Sequence, residues 1–303
     1  MQTFTRATLV KGRPTTLKCV EIEGQTYSIS GGAVRVLRLE EEWYEDVRDP
    51  GAVLEAVGRD RIDVDLFTFW QRPPHNEPQF RFHTEWEELA VLPVLSYDDW
   101  WNNRIQSRTR SLIRKSAKLG VEVRLTEWTD AFVRGMTDIF NETPVRQGRP
   151  FWHYGKNFET VKSQFSRYLF REHLIGAYFE GELIGFMMIA DAGQYALVGQ
   201  ILSKVAHREK ATNNALIARA VELCAEKGWS HFVYLQWGTG SFAEFKRRCG
   251  FDKMIVPRYY VPISLRGKAA LRLGLHRGFR EAIPPAIKER LKDIRSRWYS
   301  ADE

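Results

Sequence analysis

The stretch HREKATNNALIARAVELCAEKG, residues 207–228, carries the strongest indication of architecture in the chain. Apolar residues recur at helical spacing from 216 to 224, and Gly228 follows the last of them as a helix terminator. Strand patterns flank this helix, ALVGQILSKV (196–205) before it and HFVYLQW (231–237) after it. Because a helical crossover joins strands that run in the same direction, these two strands are predicted to be parallel neighbours.

The surrounding segments extend this unit into an α+β domain over residues 121–263. Before it come a strand at 121–125, helices near 130–141 and 158–170, and a hairpin formed by LIGAYF (174–179) and LIGFMMIAD (183–191). After it come SFAEFKRRC, in which Ser241 and Glu244 have capping-box spacing, and the strand MIVPRYYVPI (254–263). This order predicts a mixed sheet flanked by helices.

The rest of the chain is predicted to form three further parts. Residues 1–96 form a smaller α/β lobe, with a strand pair at 27–39, a helix near 51–58 and strands at 63–70 and 79–94; one interpretation is a degenerate repeat of the second domain. A basic helix connects the lobes within 97–120, and a basic helical tail covers 264–303.

Composition and charge restrict the kind of protein. With 44% hydrophobic and 13% aromatic residues among 303, the chain is globular rather than disordered. No apolar run reaches the length of a membrane span, and Cys19, Cys224 and Cys249 lie far apart, which favours reduced thiols in a cytoplasmic protein. The histidines show no metal-binding spacing, so no metal is expected.

The net charge of +7 is concentrated in two segments. The tail 264–303 holds ten Lys or Arg residues against five acids, and the segment 104–118 holds six bases and no acid. Such segments attract anionic lipids, RNA or phosphorylated substrates, although a solvated helix face is the simpler interpretation.

Two loops carry candidate binding groups. The first, RQGRPFWHYGK (146–156), combines bases and aromatic rings without a helix or strand pattern, which is explained either by a solvated loop or by a rim that binds substrate. In the second, Arg208 and Lys210 precede the helix start at Thr212 and Asn213. Backbone N–H groups at a helix start bind anions, so this loop is a candidate pyrophosphate cradle.

The second loop and its helix resemble the cofactor motif of the GNAT N-acyltransferase superfamily, Arg/Gln-x-x-Gly-x-Gly/Ala after a strand. Arg208 fits, while Ala211 and Asn213 stand where the family has small glycines. AEFKRRCGFDKM (243–254) resembles the second signature of the family, with Lys246 at the position of the usual tyrosine. The Phe-Lys pair before Gly-Phe and the basic helix are similar to the FemAB-like branch, whose members join two GNAT-type lobes and form amide bonds in cell-wall and polysaccharide pathways.

The resemblance implies an acyl transfer and gives the candidate residues roles. Backbone N–H groups of the donor strand would polarise the acyl carbonyl, and Lys246 would stabilise negative charge on a phosphate or on the leaving group. Glu142 and His153 are the candidate proton acceptors. The donor site would comprise Leu202, Ser203, Arg208, Lys210, Ala211, Thr212 and Asn213. The acceptor site would comprise Arg146, Gln147, Arg149, Trp152, Tyr154 and Lys156.

Three functions are compatible with these residues. The first is a cytoplasmic N-acyltransferase that moves an acyl group from acetyl-CoA or another acyl-CoA to an amino group of a sugar or peptide precursor of the envelope or of a polysaccharide. The second is a FemAB-like transferase that uses aminoacyl-tRNA, which the basic helix and tail favour. The third is a non-catalytic GNAT-fold module, suggested by the missing glycines, whose basic tail contacts a partner or an anionic membrane.

A dinucleotide fingerprint is rejected. Gly238, Gly240 and Ala243 match G-x-G-x-x-A between a strand and a helix, but the helix is short and no acidic residue ends the next strand.

Overall fold

The computed structural model describes residues 3–10, 13–42, 44–146, 148–167 and 169–277, which form one mixed sheet of twelve strands and a separate two-stranded hairpin. The strands are β1 (Thr3–Val10), β2 (Arg13–Ile22), β3 (Gln25–Ser30), β4 (Val36–Leu39), β5 (Leu66–Trp70), β6 (His83–Pro93), β7 (Glu122–Thr126), β8 (Val145–Arg146), β9 (Arg149–Pro150), β10 (Glu172–Phe179), β11 (Glu182–Asp191), β12 (Tyr195–Ser203), β13 (His231–Gln236) and β14 (Asp252–Pro262).

Helices cover both faces of the sheet. They are α1 (Pro50–Arg59), α2 (Tyr97–Asp99), α3 (Ser107–Lys118), α4 (Asp130–Asn141), α5 (Phe158–Phe165), α6 (Thr212–Lys227), α7 (Gly240–Arg248) and α8 (Leu265–Arg272). In the described part of the chain, none of the helices combines the length and the apolarity that a bilayer crossing demands.

The strand order reveals an internal repeat that the sequence analysis offered as one interpretation of the first lobe. The order is β1-β2-β3-β4-β5-β14-β6-β13-β12-β11-β10-β7. From either edge inward, the first three pairings are antiparallel, the fourth is parallel, and a helix (α1 or α6) joins the parallel strands. The last strand of each half, β6 or β14, lies beside the parallel strand of the other half. The halves therefore share one continuous sheet by exchanging their last strands.

The sequence-predicted parallel pair is confirmed, but its pairing is short. β12 and β13 pair only from Tyr195 with His231 to Leu197 with Val233. β12 continues to Ser203 beside β11, whereas β13 continues beside β6. The two strands therefore separate beyond the third pair and leave an opening in the sheet.

Apolar side chains on the two faces of the second half fill separate cores. On one face, Ala196, Val198 and Phe232 pack against Leu216 and Ile217 of α6. On the other face, α4 and α5 cover the side chains of β10 and β11, which include Leu174, Phe186 and Met188. The alternation of side chains along each strand produces this division, because successive residues face opposite sides of a sheet.

Two predicted helices differ from the structure. The basic helix predicted within 97–120 is interrupted after a π-helical turn at Trp100–Arg104, because Ile105 is extended and its side chain is buried. Two contacts to the Arg248 carbonyl, from the Gln106 N–H and the Thr109 hydroxyl, fix the restart of the chain as α3. The helix predicted at 158–170 ends at Phe165, and a separate 3₁₀ turn follows at Leu169–Arg171.

Smaller elements also differ from the prediction. The prediction of a capping box at Ser241 and Glu244 is wrong, because α7 begins at Gly240 after Thr239. Glu244 instead binds the guanidinium groups of Arg247 and Arg248. β1 and β2, at the edge of the first lobe, were not predicted individually. Of the predicted tail, α8 and a 3₁₀ turn at Leu275–Arg277 are observed, and 278–303 lies outside the described residues.

Candidate functional site

The opening between β12 and β13 is lined by irregular backbone. Gly199 is an extra residue in β12, because Met188 pairs with Gln200 while Ile189 pairs with Val198. On the opposite strand, Leu235 has a positive φ of 41°, and the register of β13 with β6 shifts between Val233 and Gln236. Bulges of this kind occur beside active sites, where they redirect the backbone N–H and carbonyl groups of a strand.

Lys246 extends from α7 to the part of β13 that has separated from β12. Its residue is 1% exposed, and its ammonium group donates to the Tyr234 carbonyl at 2.8 Å and to the Gln236 carbonyl. The rings of Tyr234 and Phe242 lie 4.3 and 4.1 Å from Nζ. Burial lowers the pKa of this amine to about 7. A buried lysine held by neutral carbonyls is uncommon in a purely structural role, because lysines are almost never fully buried unless they are paired.

The start of α6 leaves polar atoms without partners. Ala211 precedes the helix in the left-handed region, at φ 53°, and no side chain caps the helix. Within the described residues, the buried atoms Thr212 Oγ1 and Asn213 Oδ1 have no hydrogen-bond partner. Arg208 is exposed, whereas Lys210 lies with its Nζ 3.8 Å from the centroid of the Phe179 ring. A buried polar group without a partner requires an explanation, and a bound ligand is one.

Glu142 and Arg146 lie at the end of β12, where they bind backbone groups. Glu142 accepts hydrogen bonds from the N–H groups of Val205 at 2.6 Å and Ala206 at 2.8 Å. Arg146 donates to the Ser203 carbonyl at 2.9 Å and to Glu142 at 3.0 Å. These contacts hold the end of α4 against the end of β12. They favour a structural role for Glu142 over its predicted role as a proton acceptor. Leu202 packs against the core beneath α4.

The loop at 146–156 has a buried half and an exposed half. His153 is 1% exposed and its ring stacks on Phe140 at 4.2 Å between centroids. Burial and the neighbouring Lys156 lower its pKa to about 3, so this imidazole is a weak base. Trp152 and Tyr154, by contrast, are 55% and 47% exposed. Gln147 and the side chain of Arg149 lie outside the described residues.

Lys156 connects the two halves of the loop. Its ammonium group contacts His153 Nδ1 at 3.2 Å, donates to Gln164 at 2.7 Å and lies 4.0 Å from the centroid of the Trp152 ring. Burial lowers the pKa of Lys156 to about 8. The buried side of the loop is therefore held in place, and the loop presents two aromatic rings to solvent, as a binding rim would.

Glu172, which the sequence analysis missed, is the carboxyl group nearest to the bulge. It begins β10, and its Oε1 lies 3.5 Å from the position that a Cβ on Gly199 would occupy. Tyr44 donates to the same oxygen at 3.0 Å, while the buried Oε2 has no hydrogen-bond partner among the described residues. Burial raises its pKa to about 7, although the hydrogen bond from Tyr44 opposes this shift. The only sequence signal was an acid at the start of an otherwise apolar strand.

One group of side chains has the composition of a metal site, although its geometry is that of a hydrogen-bonded pair. Ligand atoms of His83, Glu85 and His276 lie within 4.8 Å of one another. His276 Nε2 is 2.6 Å from Glu85 Oε1, whereas two ligands of one tetrahedral zinc ion are about 3.3 Å apart. The short contact is a hydrogen bond that holds the 3₁₀ turn after α8 against β6.

Comparison with solved structures shows the fold. The C-terminal domain (DUF2156) of a protein described as a lysylphosphatidylglycerol synthetase from Agrobacterium fabrum is 13% identical with a TM-score of 0.57, over 85% of this chain and 86% of that one. FemX is 9% identical with a TM-score of 0.58, over 89% and 90%. The chain therefore shares with these proteins the GNAT-like fold that the sequence predicted. L-PGS from Bacillus licheniformis, 13% identical, has a TM-score of 0.56 over 84% of this chain and 87% of that one. No protein-family model and no curated protein matches the sequence.

These likenesses confirm the predicted fold class and the resemblance to the FemAB-like branch. They extend over both halves of the chain, so the exchanged-strand sheet as a whole, rather than the second half alone, is the shared architecture. Because the identities are only 9–13%, these likenesses show the fold and assign no roles to residues. The roles of the site residues follow from their own contacts.

Proposed function

We propose that this protein transfers an acyl group to an amino group, with the acyl carbonyl lying in the opening between β12 and β13. The observation that carries this proposal is Lys246, a buried amine at the point where the parallel strands have separated. Its ammonium group stabilises the negative charge that develops on the leaving group or on a phosphate beside it. With a pKa of about 7, it also donates a proton to the leaving group near neutral pH.

Glu172 supplies the complementary base. A neutral amine must lose a proton as it attacks a carbonyl, and the unpaired Oε2 of Glu172 is an acceptor beside the bulge at Gly199. Tyr44 holds the other oxygen and so orients the carboxylate. The pKa values of Glu172 and Lys246, both about 7, suit one acid and one base that work at neutral pH.

We propose an aminoacyl ester, as carried by aminoacyl-tRNA, as the donor. Glu142, which is paired with Arg146, already accepts from the N–H groups of Val205 and Ala206, so these groups are not open to a pyrophosphate at the end of β12. A synthetase of lysylphosphatidylglycerol, which by its name handles a lysyl group, shares the fold over most of the chain. The bases of α3 and the tail offer charges for RNA.

An acyl-CoA such as acetyl-CoA is the second candidate donor, and a different observation favours it. The uncapped start of α6 and the unpaired hydroxyl of Thr212 fit a phosphate that accepts from backbone N–H groups and from that hydroxyl, with Arg208 exposed nearby. For either donor, Trp152 and Tyr154 are proposed to stack on the acceptor, a sugar or peptide precursor with an amino group.

A transfer assay with both donors tests the proposal. Purified protein is mixed with radiolabelled aminoacyl-tRNAs or with radiolabelled acetyl-CoA, and each donor is offered a lipid extract, a pool of sugar nucleotides and hydroxylamine as a generic nucleophile. We expect transfer from one donor, and a roughly 10²–10⁴-fold loss in Lys246→Met because a general acid and a charge stabiliser are removed together.

The matched control is Lys253→Met, since Lys253 is partly exposed and paired with Glu88 at 2.8 Å. Full activity of a folded Lys246→Met variant would reject the site. A folded wild-type protein that transfers from neither donor to any acceptor would reject the enzyme and favour the non-catalytic module.

A further inference from the structure

Helix α8 is held rigidly against the first lobe by its inner face. The Ser264 hydroxyl accepts from the Gly267 N–H at 3.0 Å and donates to the Asp65 carboxylate at 2.7 Å, which caps the helix. Gly267 lies so close to the first lobe that an added Cβ would be 1.9 Å from the Asp65 carbonyl oxygen. Ala270 is 1% exposed beside it. These contacts fix which side of α8 faces solvent.

The outer face of α8 carries both leucines and bases. With about 100° between successive residues, Leu265 and Arg272 lie opposite the buried Gly267 and Ala270, and a stripe of Leu265, Ala269 and Leu273 runs from there toward one side of the helix. Leu265 is 82% exposed and Leu273 is 67% exposed. The bases flank this stripe, one on one side and two on the other: Arg266, Lys268 and Arg272. Residues Leu265–Arg272 contain no acid.

An ordinary surface helix has mostly polar residues on its exposed side, whereas the exposed side of α8 includes Leu265 and Leu273. A helix that lies in a membrane interface has leucines at its outermost positions and long basic side chains at the flanks, which extend to the lipid headgroups. A solvated basic helix, such as α3, has no need for exposed leucines between its bases. The charge of α8 therefore matches an anionic surface, and its leucine stripe matches an apolar layer beneath that surface.

We propose that α8 docks on the surface of an anionic bilayer, with Leu265 and Leu273 inserted among the acyl chains. The docked orientation would hold the first lobe against the membrane at the point where Asp65 anchors the helix. This inference does not depend on the proposed transfer activity, because it needs no donor, acceptor or catalytic group.

Cosedimentation of the full-length protein with vesicles tests the proposal. The vesicles are equimolar phosphatidylglycerol and phosphatidylcholine, or phosphatidylcholine alone, at about 0.1 M salt, where charges within roughly 10 Å still interact. We expect binding to the anionic vesicles, at least about tenfold weaker binding of Leu265→Gln/Leu273→Gln, and roughly hundredfold weaker binding of Arg266→Gln/Lys268→Gln/Arg272→Gln.

Controls elsewhere on the surface separate docking from general attraction. Leu95→Gln removes a leucine that is 80% exposed, and Arg108→Gln/Lys115→Gln/Lys118→Gln removes three exposed bases from α3. Both control proteins should bind as the wild type does. Three results would overturn the proposal: no binding to anionic vesicles, an equal loss in the α3 control, or a loss in the basic α8 variant with no effect of the leucine changes. The last would indicate a surface for any polyanion, which tRNA binding would then confirm.

Discussion

The two halves of the sheet have the same strand order but differ in the hydrogen-bond partners of their polar groups. In the first half, the Asp49 carboxylate caps α1 by accepting from Gly51 and Ala52, and the buried Asp65 binds Arg35 and Ser264. In the second half, the corresponding helix α6 has no side-chain cap, and Lys246 is buried without a carboxylate among its hydrogen-bond acceptors.

We infer from this difference that the proposed site belongs to the second half. Polar groups that are hydrogen-bonded within the protein add to its stability, whereas buried groups that lack partners reduce stability and remain able to bind a ligand or move a proton. We infer that the first half serves as a scaffold, whereas the second half has the opening, the uncapped helix start and the two groups whose pKa is about 7. The exchange of β6 and β14 makes the scaffold part of the site, because Tyr44 of the first half orients Glu172 of the second.

After that of Lys246, the largest effect on transfer should come from the carboxyl group at the junction of the halves. We expect Glu172→Gln to lower the rate of transfer roughly 10²–10³-fold at pH 8, because the proton acceptor is lost. In the wild type the rate should fall as the pH drops below about 7, where Glu172 becomes protonated, and this dependence should disappear in the variant. The measurement is the pH profile of kcat with the donor found in the transfer assay.

Two controls distinguish Glu172 from the acceptor amine, which also titrates. Tyr44→Phe removes the hydrogen bond that lowers the pKa of Glu172, so the acid limb should move to higher pH without vanishing. Glu122→Gln changes an exposed acid of β7 and should leave the profile unchanged. An acid limb that is the same in Tyr44→Phe and Glu172→Gln as in the wild type would assign the titration to the substrate.

Sequence patterns gave most of the second half, since its helices and strands have clear periodicity. The parallel pair around α6 was predicted from spacing alone, because a crossover helix leaves few topologies. The exchange of last strands could not be predicted from the sequence. The patterns of β6 and β14 suit pairing with β5 or with β13 equally well, and only three-dimensional packing decides that β6 pairs with β13 and β14 with β5. The break of the predicted helix at Ile105 could not be predicted for the same reason, because the chain there is held by hydrogen bonds from Gln106 and Thr109 to Arg248, more than a hundred residues away.

The candidate site was predicted in part. Lys246 was found because a family signature marked its position, but its burial and its carbonyl partners depend on α7 and β13 together. Glu142 and His153 were chosen for their chemistry and their place in a loop, and their contacts favour structural roles. Glu172 was missed because the groups that define it, Tyr44 and the bulge, are distant in sequence.

A second prediction compares two buried charges, one in each half. We expect Asp65→Ala to reduce the free energy of unfolding by about 2–3 kcal/mol, because Arg35 loses its buried partner, and to leave transfer activity intact. Lys246→Met should do the opposite, lowering transfer roughly 10²–10⁴-fold while stability at pH 7 stays equal or rises. Urea denaturation of both variants, together with the transfer assay, makes the comparison.

The free energy of unfolding should rise with pH at both residues, but in different pH windows. Burial raises the pKa of Asp65, but hydrogen bonds from Arg35 and Ser264 outweigh it and hold the pKa below its ordinary value. The stabilisation from Asp65 is therefore present above about pH 4 and lost in more acid solution. Burial lowers the pKa of Lys246 to about 7, so the wild type should gain stability relative to Lys246→Met between about pH 7 and 10, by a few kcal/mol. A constant difference over that range would contradict the lowered pKa.

The smallest expected effect compares the two helix starts. Asp49→Ala should cost about 1 kcal/mol of stability, because α1 loses the cap for two backbone N–H groups, and should not change transfer. Thr212→Val removes a buried hydroxyl that has no partner among the described residues, so stability should stay equal or rise slightly, while the apparent affinity for the donor falls about three- to tenfold. Thermal melting and the KM for the donor give the two values. If Thr212→Val instead lost stability and kept the donor KM, the start of α6 would be a structural helix end like that of α1, and the donor phosphate would have to be sought beside Lys246.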